Sequence, residues 1–116
     1  MRKAILFVVI ATSSIVLLNA CDKGGDDDGG NDCMGVVPSF SADVNVIIQT
    51  FCNQPTCHNT GSINGPGPLT NYAEVFPARN SIRDQVVAGL MPQNTTLTAA
   101  QKQTIKCWVN NGAPNN

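Results

Sequence analysis

The chain has 116 residues and five cysteines, Cys21, Cys33, Cys52, Cys57 and Cys107, and these thiols constrain its fold more than any other feature. The reason is how little else there is to build a core from. Hydrophobic residues make up 42% of the chain, but 14 of them lie within residues 1-20, so the remainder is poor in apolar side chains for a globular domain. Residues 33-116 are expected to form one small domain, and domains of that size bury a modest fraction of their surface and lean on a covalent or metal staple. Charge is segregated as well. Five of the eight acids fall between Asp22 and Asp32, which leaves Asp43, Glu74 and Asp84 to balance Arg79, Arg83, Lys102 and Lys106. Without clustered Lys and Arg to displace counterions from phosphates, no nucleic-acid partner is expected.

Residues 1-20 read as an address. Arg2 and Lys3 precede an apolar run from Ala4 to Leu18 that is interrupted by Thr12, Ser13 and Ser14. It is too short for a spanning helix, which wants about 20 predominantly apolar residues, and suits a secretory signal peptide. Leu18-Asn19-Ala20-Cys21 resembles the lipobox of bacterial lipoproteins, and the resemblance implies that Cys21 is lipidated and holds the protein on a membrane through acyl chains. An ordinary signal peptide would instead leave an odd cysteine in an oxidising compartment. Residues 21-32 form an acidic, Gly-rich tether with no apolar residue beyond Cys21, extended by glycine flexibility and like-charge repulsion. Such a stretch is similar to the surface-export signals of Bacteroidota lipoproteins, whereas Asp directly after the cysteine means inner-membrane retention in enterobacteria. The expected localisation is the cell envelope, on the outer membrane, with the face left open. Asp26, Asp27 and Asp28 lack the alternating oxygens and distant Glu of an EF-hand calcium loop.

The domain reads as all-α, three to four helices with long loops. Val44, Ile47, Ile48 and Phe51 repeat at the spacing of one helix face, capped by Ser41, with Asp43 at the positive end of the dipole and Cys52 at its close. Residues 59-69 hold Gly61, Gly65, Pro66, Gly67 and Pro68 and read as a loop. Thr70 is expected to open a short helical turn closed by Pro77, and Ile82, Val86, Val87 and Leu90 mark a further helix from Ser81 that Pro92 ends. The last helix carries a capping box, Thr98-Ala99-Ala100-Gln101, an apolar stripe of Ile105, Trp108 and Val109, and Gly112 placed to close it in the left-handed conformation. No alternating strand pattern appears after the signal.

Cys52-Asn53-Gln54-Pro55-Thr56-Cys57-His58 contains the only histidine of the chain. Covalent haem attachment needs two thiols close in sequence to add to the two vinyl groups of the porphyrin, and an imidazole beside the second thiol to reach the iron. Cys-x4-Cys-His meets the order and the adjacency with two residues more than the common Cys-x2-Cys-His signature; they must bulge, and Pro55 helps to turn the bulge. For the opposite face of the iron, Met91 stands 33 residues after His58, where the helix stops before Pro92, with Gly89 allowing close approach to a ring. A thioether opposite an imidazole raises the reduction potential and suits an electron carrier, although most methionines are core fillers.

The order of these parts resembles a small class I c-type cytochrome domain, most of all those on lipoproteins of Bacteroidota. It comprises a helix into Cys52...Cys57-His58, a loop with Pro68-Leu69-Thr70-Asn71-Tyr72, then Gly89-Leu90-Met91-Pro92, and a capped helix with Trp108 that ends Asn111-Gly112-Ala113. The resemblance covers residues 40-113 and implies one haem c, with Cys52 and Cys57 carrying the thioethers, His58 the proximal and Met91 the distal iron bond. It also implies crossed terminal helices, with Val44 and Phe51 against Ile105 and Trp108. Cys33 and Cys107 are then free to pair, closing a long loop for roughly 4 kcal/mol. Four cysteines allow three pairings, so a Cys52-Cys57 disulfide stays open; one histidine and scattered thiols make a zinc site the weaker alternative. Arg79, Arg83, Tyr72 and Trp108 read as solvated face or core packing before propionate partners, and the sequon Asn94-Thr95-Thr96 is discounted in a bacterial lipoprotein.

Two functions follow. The first is electron transfer between redox partner proteins of the envelope by a membrane-anchored monohaem cytochrome that is not an enzyme, since no nucleophile with a base, and no histidine beyond His58, is left for bond chemistry. The second is a haem-free surface lipoprotein, stapled by Cys52-Cys57 and Cys33-Cys107, that acts as a binding module. A less favoured variant keeps haem with Met91 displaced and an open iron.

Overall fold

The computed structural model describes residues 33-116; the expected signal peptide, Cys21 and the expected acidic tether lie outside the described residues. Helices are the only regular structure within that range, so the all-α expectation holds for it. The first helical segment is continuous but changes gauge: a π-helical turn Phe40–Val44, the α-helical turn Asn45–Ile47 (α1) and a second π-helical turn Ile48–Cys52. Helix α2 spans Tyr72–Val87 and α3 spans Ala99–Asn110.

The gauge change decides which face is buried. In π-helical turns the backbone bonds skip one residue further, as from Val44 N to Ser39 O (3.1 Å) and from Asn53 N to Ile48 O (2.9 Å). Each wider turn uses more than 3.6 residues, so the side chain that comes round beneath Val44 and Ile48 is Cys52 and not Phe51. Cys52 is buried and Phe51 only half-buried against the core, which corrects the strict 3.6-residue stripe. The cap is corrected too. Ser39, not Ser41, accepts from Ala42 N (3.1 Å), and Asp43 accepts from Ser39 N (2.8 Å), a reciprocal pair that satisfies the first donors. Asn116, from the far end of the chain, accepts from the next two: Phe40 N on its side-chain oxygen and Ser41 N on its carbonyl (2.9 Å each).

Helix α2 joins what the sequence divides. Pro77 lies inside it, where it forfeits one amide donor to the preceding turn. Val75, Ile82 and Val86 fall on one face across the proline, and burying that continuous face outweighs the lost bond. Asn71 caps the helix by accepting from Glu74 N, and Glu74 in turn accepts from Thr70 N and Thr70 Oγ1 (2.7 Å each). The helix stops at Gly89, ahead of Leu90 and Pro92. Gly89 takes a φ of +72° and donates to Val86 O, while Leu90 N reaches back to Gln85 O, the double closure of a Schellman turn. Gly89 therefore serves the backbone turn.

Helix α3 follows its sequence signs. Thr98 Oγ1 accepts from Gln101 N (3.2 Å) while Gln101 Oε1 accepts from Thr98 N (2.9 Å), and Gly112 closes the other end with φ +91°. The core gathers where α3 meets α2 and the Phe40–Val44 turn: Trp108, Ile105, Val44, Ile48, Val75 and Val86 are almost fully enclosed. Phe40 packs its ring 5.6 Å from Trp108 and 5.0 Å, edge-on, from Tyr72. Tyr72 Oη donates to Ala113 O (2.9 Å) and Trp108 Nε1 to Pro114 O (3.0 Å), so both polar tips are spent on folding the C-terminal tail over the core and serve packing. Cys33 and Cys107 form a disulfide across 74 residues, pinning the strand of chain before Phe40 to α3.

Candidate functional site

At the opposite end of the first helical segment the backbone coils into a compact turn. Gln54 N donates to Cys52 O (2.9 Å), Cys57 N to Gln54 O (3.0 Å) and His58 N back to Cys52 O (3.1 Å). Pro55 occupies the second position of the Gln54-to-Cys57 turn and Thr56 the third, with φ +71°, the pattern of a type II turn. Proline suits its place by its fixed φ; threonine at the third pays the penalty of a left-handed conformation for a β-branched residue. The result is the expected bulge. Two additional residues are folded outward, and Cys57 and His58 return to the backbone of Cys52.

Cys52 and Cys57 are both free thiols. Burial, followed by the neighbouring Cys57, pushes the Cys52 thiol up to about 11 from the usual 9.0, so it stays protonated at neutral pH. Cys57 is half-exposed. The pairing open in the sequence resolves as one disulfide, Cys33-Cys107, and two thiols beside the histidine.

His58 is oriented by the Gly/Pro-rich loop. Its Nδ1 lies 2.9 Å from Gly67 O. A carbonyl can only accept, so Nδ1 carries a hydrogen and the ring is turned with Nε2 as its other nitrogen, the one through which a histidine anchored in this way binds a metal. The loop approaches closely enough that a Cβ on Gly65 would stand 3.6 Å from His58 Cε1, and Gly65 and Gly67 have φ of +50° and +88°. Leu69 N donates to His58 O (2.9 Å), returning the loop to the core through buried Leu69. From the sequence, residues 59-69 read only as a loop. The Gly67 carbonyl carries no side-chain signal, and the one hint was the dense Gly-Pro-Gly-Pro run ahead of Leu69.

A second device missed in the sequence is a ladder along the first helical segment. Asn53 Nδ2 donates to Gln49 Oε1 (2.6 Å), and Gln49 Nε2 contacts Asn45 Oδ1 (3.1 Å), Leu69 O (3.2 Å) and Thr70 O (3.3 Å). Gln49 thus ties the far end of the histidine-bearing loop to the helix that carries Cys52.

Met91 sits half-buried on the turn after α2, its N–H bonded to Gln85 O (3.2 Å), and is followed by a cis bond to Pro92. Arg79 stacks over Phe76 (4.0 Å to the ring centre) and donates to Phe76 O, while Arg83 pairs with Asp84; both belong to the surface of α2. Among the described residues no three His, Cys, Asp or Glu side chains converge to hold a metal ion. A porphyrin asks less of the protein, because its own nitrogens fill four positions and the chain supplies the axial ones. Two free thiols flanking a turn and a histidine anchored through Nδ1 are side chains whose chemistry fits such a group. Compared with protein-family models, curated proteins and solved structures, the chain has no match in any of the three. Among the described residues no helix is long and apolar enough to cross a membrane.

Proposed function

We propose that the chain is an electron carrier, a monohaem c-type cytochrome of the cytochrome c-like fold, anchored to a membrane of the cell envelope through Cys21 and passing electrons between redox partner proteins. The observation that carries this reading is the His58 Nδ1 to Gly67 O hydrogen bond beside two free thiols. Gly67 O holds the His58 ring through Nδ1, so that His58 Nε2 and the Met91 sulfur would hold the iron of a haem, and Cys52 and Cys57 would carry its thioethers. Haem, when bound, would furnish a one-electron iron couple whose potential a thioether ligand raises. The chain's own work is to hold that group, orient His58 and keep one edge dry, and no substrate bond is made or broken.

The competing reading, a haem-free stapled binding module, already has the Cys33-Cys107 pair and depends on Cys52 and Cys57 closing as a second disulfide. Expression with a cytochrome c maturation system separates the two. A coloured product, heavier by one haem and resistant to thiol alkylation at Cys52 and Cys57, is expected; a colourless product with these two cysteines disulfide-bonded overturns the proposal. In the coloured protein, Met91→Ala should abolish the thioether-to-iron charge-transfer band and lower the midpoint potential. An unchanged spectrum and potential would transfer the distal role to Met34 or another group.

A further inference from the structure

The spacing between the two thiols is wider by two residues than the common attachment signature, and a longer loop has more ways to be wrong. Its own chemistry works against it. Thr56 is held at φ +71°, where a β-branched residue is strained, and among the backbone bonds of the turn no amide donates to the carbonyls of Thr56 or Cys57. Asn64 supplies the missing partner: its Nδ2 donates to Thr56 O (2.8 Å) and to Cys57 O (3.2 Å). Ser62 Oγ also donates to Cys57 O and itself accepts from Asn64 N (3.2 Å), so Ser62 and Asn64 act as a unit. The backbone of Asn64 continues the chain of contacts, because Gly67 N donates to Asn64 O (2.9 Å) and Gly67 O is the acceptor for His58.

Resting on the haem reading above, we infer that Asn64, assisted by Ser62, is the positioning residue of the wide Cys52-to-His58 turn: its carboxamide holds Thr56 and Cys57 so that both thiols and the imidazole face one ring together. The Asn64 carboxamide bonds the carbonyls of the turn, and it acts through the turn. It is exposed and outside the apolar core, so its replacement leaves Trp108, Ile105 and the disulfide untouched.

The discriminating substitution is Asn64→Asp, which keeps the shape but sets an acceptor against two carbonyls; Asn64→Ala removes the donor without repulsion, and adding Thr56→Gly relieves the strained φ. Two readouts are needed. In protein made with the maturation system, intact and peptide mass spectra count thioether bonds: the doubly attached fraction should fall at least threefold in Asn64→Asp, less in Asn64→Ala, and recover in Asn64→Ala with Thr56→Gly. In haem-free protein, exchange of the Cys57 and His58 amides should quicken at least fivefold in Asn64→Asp while the Ile105 and Trp108 amides keep their rates. A coloured wild type whose Asn64→Asp form retains both thioethers and unchanged exchange overturns this inference alone. A colourless wild type overturns the haem reading and this inference with it.

Discussion

The two ends of the first helical segment are held by different physics. At the Phe40 end, burial dominates: Phe40, Val44, Trp108 and Ala113 are packed against each other's elements, and a disulfide at Cys33-Cys107 secures the joint. At the Cys52 end the turn is held mainly by hydrogen bonds to backbone carbonyls, from Asn64, Ser62, Gln49 and His58. Burial scales with area and tolerates small displacements, whereas a hydrogen bond contributes only about 1 kcal/mol net but dictates direction. The first end therefore supplies stability and the second supplies geometry. On the proposed haem reading, presenting two thiols and one ring nitrogen to a rigid group calls for the second kind of support, mounted on the first.

That division predicts a ranking. Trp108→Ala, which removes the largest enclosed side chain, should cost about 3–5 kcal/mol, comparable to the whole stability of a small domain, and chemical denaturation should show the haem-free chain largely unfolded. Replacing both Cys33 and Cys107 by Ser should cost roughly 2–4 kcal/mol through the freed unfolded chain, seen as a lower melting temperature with the native helix content kept in the cold. If either change were milder than any substitution at the Cys52 end, the division would be wrong.

The smallest effect concerns pH. Hydrogen bonds from Thr70, with a smaller contribution from Asn71, hold the Glu74 carboxyl below the usual carboxylate range. A depressed folded pKa means that the ionised form favours folding; the contribution is present above the unfolded value and is lost as pH falls through the folded one. Wild-type stability should therefore decline as pH drops below about 4.3. Glu74→Gln should flatten part of that decline while changing little at pH 7, measured by thermal melts across the acid range. An identical acid profile in the variant would show that the Thr70 contact carries no weight.

Much of the helical skeleton was legible because its signals are local. The Thr98 and Gln101 box, the Gly112 stop and the Ile105, Trp108 and Val109 stripe each depend on residues within one or two turns, and α3 follows them. Expectations failed where distant packing overrode a local rule. Pro77 does not end its helix because the face shared by Val75, Ile82 and Val86 continues past it, and Phe51 yields its place to Cys52 because π-helical turns shift the register. Leu97 and Ala113, both buried, stand outside any periodic stripe and were not expected in the core.

The same distinction runs through the site. The linear order of Cys52, Cys57 and His58 marked by itself the groups to be gathered, within a reach of about 20 Å if the chain were extended, and Pro55 marked where the intervening chain turns to gather them. The partners of those groups were decided only by the tertiary structure. Gly67 O, Asn64 Nδ2 and Gln49 Nε2 come from the other side of a loop or from the helix beneath, and the Cys33-Cys107 pair joins positions 74 residues apart. A backbone carbonyl has the same chemistry in every residue, so which one meets the imidazole is set by the path of the chain in space.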